Sequence, residues 1–270
     1  MSVTNRQFAV ATLLTGVIAG LVGLACIHLL HWIQALAWDI HSGTLLEAVS
    51  AASPARRVLN LVLGGILGAA SWFFLFRRSR AITSVSAAVG GTPMPPLRAT
   101  WHALTQVLIV GLGASVGREV APREMAAAFS AAAADRLGLT PEDRRIIVAC
   151  GAGAGLAAVY SIPLSGAIYT LEILLVSRSG RAVAPAFCTS AIAVLISTGV
   201  TRPAPFYSVP TLTPSLSLTV FAALAGPLLG TAGWAFKRAV ARVSSDRPRD
   251  WRLLVALPMA SFLVGVIDVW

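Results

Sequence analysis

Apolar residues in this chain come in long unbroken runs. No Asp, Glu, Lys or Arg occurs from Phe8 to Trp38, from Val58 to Phe76, from Ala182 to Val200 or from Leu216 to Phe236. At about 1.5 Å per helical residue, each run can cross a hydrocarbon core of roughly 30 Å. The pattern predicts four full spans in an all-α, multi-pass integral membrane protein. The stretch between Thr100 and Val176 has a different rhythm. Its apolar segments are short and interrupted at Gly111, Gly113 and Gly117, at Pro122, at Gly151, Gly153 and Gly155, and at Pro163 and Gly166. Irregular backbone at membrane depth is tolerated only where it is buried or lines a cavity. Half-helices of that kind carry positive N-terminal ends that attract anions. The pattern therefore points to an anion site between about residues 90 and 165.

Composition strengthens the membrane reading. Hydrophobic residues make up 56% of 270 and charged residues 12%, about half the charged share of a soluble domain. Residues 8–38 are too long for the apolar core of a signal peptide and show no cleavage pattern, so the first run reads as a retained transmembrane helix. The net charge of +10 does not imply nucleic acid. Basic residues sit at the ends of apolar runs, as in Arg77-Arg78-Ser79-Arg80, Arg178-Ser179-Gly180-Arg181 and Lys237-Arg238. That is the distribution of cytoplasmic loops. It places the N-terminus and the Arg77–Arg80 flank inside, and Arg56-Arg57 outside against the rule. Cys26, Cys150 and Cys188 have apolar neighbours and no CxxC spacing. They read as small core residues, not metal ligands or disulfides. No metal or cofactor is implied.

Three loops carry candidate chemistry. "VGGTPMPP", Val89 to Pro96, cannot be helix interior. It can deliver the chain into a helix start, with the Thr92 hydroxyl and backbone N–H groups facing a ligand, or act as a plain connector. "GASVGREVAPREMAA", Gly113 to Ala127, sets Arg118-Glu119 and Arg123-Glu124 in an oily context. An ionisable group at membrane depth is functional by default. Glu119 and Pro122 fall near the first turn of a helix that continues through Ala126–Ala134, and Glu119 lies in the glycine-rich approach itself. Arg123 and Glu124 fit a function or a capping and interfacial role equally. "GAGAGLAAVYSIPLSGAIYTLEIL", Gly151 to Leu174, has no βαβ context for a dinucleotide site; packing through small residues explains its glycines better. Ser161 and Ser165 have no histidine nearby in sequence to act as a base. His28, His31 and His41 lie in or beside the first run, and His102 stands apart; all four read as packing or interfacial residues.

Taken in order, the three loops resemble the CLC family of chloride channels and chloride/proton antiporters. The family's G-S-G-I-P loop is loosely similar to Gly91-Thr92-Pro93-Met94-Pro95. Its G-K/R-E-G-P loop is similar to Gly117-Arg118-Glu119-Val120-Ala121-Pro122, with one residue inserted before proline. Its G-A-A-A-G-L-A-A-x-F-x-x-P-L-x-G segment is similar to Gly151 through Gly166, with Tyr160 at the phenylalanine place. The resemblance covers roughly residues 10–270. It implies an inverted-repeat helical fold and voltage- or pH-gated transport of chloride or another small anion, as a channel or an antiporter. It implies that Glu119 is the gating carboxylate, displaced from the pathway when protonated. It implies an anion site formed by Gly91, Thr92, Pro93, Gly117, Arg118, Glu119, Val120 and Ala121. It also implies a homodimer in a bilayer, of the bacterial plasma-membrane type.

Departures from the family pattern qualify those implications. Threonine replaces the anion-coordinating serine and Pro93 a glycine, which leaves the choice of anion open. Glu172 matches the first of two acidic residues on the proton pathway, but Ile173 takes the second place, against coupling by the usual route. "FAALAGPLLGTAGWAFKRAVARV", Phe221 to Val243, is similar to "LLTGVIAGLVGLACIHLLHWI", Leu13 to Ile33. That pairing divides the chain into a first repeat, 1–214, and the beginning of a second, 215–270, apparently truncated. A partner chain supplying the missing half is one expectation, and weak transport by the chain alone is another. The alternatives are a non-transporting fragment or assembly subunit and, more distantly, an intramembrane serine enzyme. The last lacks a base, so the chain reads as not an enzyme.

Overall fold

The computed structural model describes residues 3–40, 44–78, 82–176, 179–201, 213, 215–245 and 250–269. Every regular element among the described residues is helical. In order they are α1 (Val3–Trp38), α2 (Leu45–Ala51), α3 (Pro54–Arg78), α4 (Val85–Val89), α5 (Pro96–Gly111), α6 (Val120–Arg136), α7 (Pro141–Tyr160) and α8 (Pro163–Tyr169). Helix α8 continues into a π-helical turn, Thr170–Leu175, and α9 (Gly180–Thr201), α10 (Leu216–Ser245) and α11 (Leu253–Val269) follow. The four uncharged runs all lie in helices, and α1, α3, α9 and α10 are long and apolar enough to cross a membrane. At seven residues or fewer, α2, α4 and α8 are too short to cross. His41, Ser79, Arg80, Arg178 and the expected repeat boundary at residue 214 lie outside the described residues.

Residues 1–203 and 253–270 form one compact unit. Its centre is the pair α6 and α7. Both are poor in large apolar side chains, yet Ala126, Ala127, Ala128, Ala149, Cys150, Ala152 and Ala154 are completely buried. Small residues let the backbones approach, which drives helix association where lipid offers no hydrophobic contrast. Gly151, Gly153 and Gly155 do not interrupt a helix, contrary to the sequence expectation. They lie inside α7 and mark its close contacts. A Cβ on Gly153 would overlap the Thr170 hydroxyl and lie 2.6 Å from the Gly166 carbonyl, and one on Gly155 would lie 2.6 Å from the Pro122 carbonyl.

Helix α1 uses the same device. Gly16 and Gly20, one turn apart, receive Ile192 and Ile196 of α9, and Gly23 receives Ala158 of α7. On its other face Leu13, Leu21, Trp32 and Leu36 are exposed, as suits a lipid-facing surface. Helix α11 packs on α3 through small residues: Gly265 faces Val58, and Gly65 faces Pro258 and Ser261. Cys26 and Cys150 are buried as expected, whereas Cys188 is exposed on α9 and is no core residue.

Residues 204–252 form the second unit. It holds α10, which carries Pro227 in its interior. The Arg238 guanidinium lies over the Trp234 ring at 5.2 Å.

Candidate functional site

Helix α5 ends at Gly111, where a short loop begins. The amides of Leu112, Gly113 and Ala114 bond back to Leu108, Val110 and Ile109, which closes the end of α5. The Trp38 indole N–H donates to the Gly111 carbonyl at 2.9 Å. The chain then passes Gly117, at φ +76°, a conformation costly for any residue with a Cβ. Glu119 follows at the N-cap position of α6.

The Glu119 side chain makes no capping hydrogen bond to its own helix. The first-turn N–H groups of an uncapped helix stay available to another acceptor, here those of Val120 and Ala121. Pro122, in that turn, has no N–H to satisfy. The carboxylate folds back over Gly117 instead, where a Cβ would overlap it. Gly117 is therefore required twice, once by its backbone angle and once by the carboxylate resting on it. The Tyr160 hydroxyl, at the end of α7, donates to Glu119 Oε2 at 3.3 Å. The Arg118 guanidinium lies 5.1 Å from the centre of the Tyr160 ring, within cation–π range.

Beside these residues is a cavity of about 460 Å³, lined by Gly113, Ser115, Gly117, Arg118 and Tyr160. Its opposite wall includes Trp38 of α1, Arg57 of α3 and Asp268 of α11. Arg57 and Asp268 approach to 4.0 Å. Uncapped amides next to a guanidinium are chemistry that suits a small anion, and a carboxylate would suit the same helix terminus.

Gly91, Thr92 and Pro93 do not join this site. They follow the C-terminal end of α4, and the Gly91 and Thr92 amides donate to the Ala88 and Ala87 carbonyls; Pro93 has no N–H. These two amides close the negative end of a helix, which leaves the Thr92 hydroxyl as the donor this loop could offer an anion. The Pro93 carbonyl accepts from the Thr83 hydroxyl. Helix α5, about 24 Å long, separates the loop from the approach to Glu119. Glu172 is also elsewhere. It is exposed on the π-helical turn, where Thr170 bonds to Ala149 and Arg145 bonds to Leu175. Those contacts reach the first half of α7, whereas Glu119 meets its last residue.

The second arginine–glutamate pair is built into the interior. Glu124 is 8% exposed, and its Oε2 lies 2.6 Å from His102 Nδ1 of α5. Gln106 Nε2 lies 2.8 Å from the same ring nitrogen. Arg123 Nη1 donates to the Tyr169 hydroxyl at 2.9 Å. At the far end of α7, Asp143 is buried and held by a two-pronged contact from Arg181, at 2.6 and 2.8 Å. Ser161, one of the candidate nucleophiles, is the left-handed C-cap of α7.

Sequence reasoning quoted Tyr160 only as part of a motif and gave it no role. A signal was present: a hydroxyl stands where the family pattern has phenylalanine. Trp38, Arg57 and Asp268 come to the cavity from distant parts of the chain, and no local pattern announces them.

Comparison with known proteins bears on the family and the fold. The family model described as voltage gated chloride channel matches residues 63–270. The voltage-gated ClC-type chloride channel ClcB of Escherichia coli O81 (strain ED1a) is 29% identical over 285 residues, covering 98% of this chain and 65% of its own. ClcB of Yersinia pseudotuberculosis serotype O:1b (strain IP 31758) is 30% identical over 261 residues, covering 92% and 62%. The crystal structure of a slow cyanobacterial Cl−/H+ antiporter has the same fold, with a TM-score of 0.76 at 21% identity, covering 98% of this chain and 64% of that one. The chain spans just under two thirds of the length of these relatives. With its helical architecture and a family match over most of its length, the chain is an integral membrane protein that belongs to the voltage gated chloride channel (CLC) family.

Proposed function

We propose that this chain takes part in moving chloride, or a small anion of like charge, across a bacterial-type plasma membrane, and that Glu119 is the gate. One observation carries the reading. Glu119 stands at the N-terminus of α6 without capping it, and its carboxylate rests over Gly117 beside the cavity. A carboxylate and a halide suit the same positive terminus. Displacing the carboxylate admits the anion, and protonating it removes the competition. Val120, Ala121, Gly117 and Arg118 line the anion's approach in this proposal. Voltage dependence, proton coupling through Glu172 and assembly as a homodimer, or with a chain that supplies complementary helices, rest on family resemblance.

Reconstitution into liposomes tests the reading. Wild-type protein should release chloride faster at acid than at neutral pH, and Glu119→Gln should be fast at both. Equal pH responses in the two proteins would remove Glu119 from the gate. Chloride binding without flux would favour the assembly-subunit reading over transport.

A further inference from the structure

We infer that Tyr160 is a positioning residue whose hydroxyl holds the Glu119 carboxylate off the α6 N-terminus and so keeps the anion position open. The inference rests on the gating role proposed for Glu119 and adds a part to it. Three observations carry it. The hydroxyl donates to Glu119 Oε2 at 3.3 Å. The carboxylate lies over Gly117 and makes no bond to the first-turn amides of α6. The Tyr160 ring is itself held, on one side by the Arg118 guanidinium and along the chain by the turn at Ser161, whose φ is +57°. A hydroxyl on an anchored ring is a fixed donor. A carboxylate with three rotatable bonds goes where the better donors are.

Two donor sets compete for that carboxylate. One is the single Tyr160 hydroxyl, with the Arg118 charge beside it. The other is the uncapped N-terminus of α6, which also attracts an anion. While the carboxylate is on Tyr160, the amides are free for chloride. With the hydroxyl gone, the carboxylate loses that donor and turns to the amides, against chloride. Phenylalanine at this place leaves the ring and the cation–π contact intact and removes only the hydroxyl. The charged and titratable groups around Glu119 and Arg118 are few. Arg118 comes from the same loop, Arg57 of α3 and Asp268 of α11 also line the cavity, and His31 of α1 interacts electrostatically with Arg118. Tyr160→Phe leaves all of these residues in place and ends the hydroxyl's own hydrogen bond with Arg118.

The test is chloride binding by titration calorimetry on the purified full chain in detergent, for wild type, Tyr160→Phe, Glu119→Gln and the double variant. At neutral pH, Tyr160→Phe should bind chloride about tenfold more weakly than wild type, the change that 1.4 kcal/mol produces. The difference should shrink in acid, where carboxylates take up protons. It should vanish in the Glu119→Gln background, where no negative carboxylate is released. A purely structural role for the hydroxyl would weaken binding in both backgrounds and equally at neutral and acid pH, and that result overturns the inference. So does equal binding by Tyr160→Phe and wild type at neutral pH. If liposome flux through Glu119→Gln keeps the wild-type pH response, the gate reading fails independently of Tyr160. If none of the four proteins binds chloride, both fall together.

Discussion

Residues 118–124 present two arginine–glutamate pairs five positions apart, and the fold treats them in opposite ways. Glu119 stands at the N-cap of α6 beside a cavity, with the Tyr160 hydroxyl donating to it at 3.3 Å. Glu124 stands inside the helix, buried, with His102 at 2.6 Å and Gln106 completing the cluster. Each arginine meets a tyrosine ring, Arg118 on Tyr160 and Arg123 on Tyr169. The same two-residue pair thus gives a carboxylate with one hydroxyl partner at one place and a buried, clustered one at the other. The difference comes from what surrounds each carboxylate. A group with a cavity beside it can exchange partners at little cost, while a buried one must keep its partner or lose several kcal/mol.

That contrast breaks most sharply at His102. Replacing His102 with Leu leaves Glu124 buried without its partner and should lower stability by about 3 kcal/mol. Glu119→Gln should change stability by less than about 0.5 kcal/mol. Thermal unfolding in detergent compares them, and equal losses would erase the distinction between the two carboxylates. Gly153→Ala probes the packed half of α7. Its methyl group would overlap Thr170, so the loss should be about 2 kcal/mol, read in the same melts; an unchanged melting point would show that α7 and α8 can separate freely.

Gly117→Ala probes the open half. It should cost about 1 to 2 kcal/mol for the positive φ. Its larger effect should be on function, because the methyl group displaces the carboxylate toward the α6 amides. Chloride affinity should fall as in Tyr160→Phe, and unaltered affinity would mean that the carboxylate rests elsewhere. The smallest change compares the two tyrosines. Tyr169→Phe removes the Arg123 hydrogen bond and should cost under about 1 kcal/mol of stability with no change in chloride binding. Tyr160→Phe should do the reverse. Matching phenotypes for the two would place both tyrosines in one role.

The four long spans, the end of α5 at Gly111 and the start of α6 near Glu119 were all legible in the sequence. Uncharged runs, clustered glycines and a proline in the first turn are local signals, and local backbone rules read them directly. The glycines of α7 were legible in two ways, as breaks in the apolar rhythm and as small residues for helix packing, and only the second matches the structure. Glycine breaks a helix or packs one according to whether a neighbour fills the missing side chain. Gly166, Thr170 and Pro122 supply those neighbours, and they lie 13 or more residues away in sequence from the glycines they meet.

The same limit applies to the candidate site. Sequence alone determined that the chain is membrane-embedded, that its helices are uneven, and that Glu119 opens a helix after a glycine-rich turn. Hydropathy, charge and the φ demands of glycine act within a few residues. Tertiary structure alone decided that the Gly91 and Thr92 amides close the end of α4. It decided too that Tyr160 reaches Glu119 from 41 positions away, and that Glu124 is locked to His102. A hydrogen bond acts over about 3 Å, and which donors come that close depends on how the helices pack.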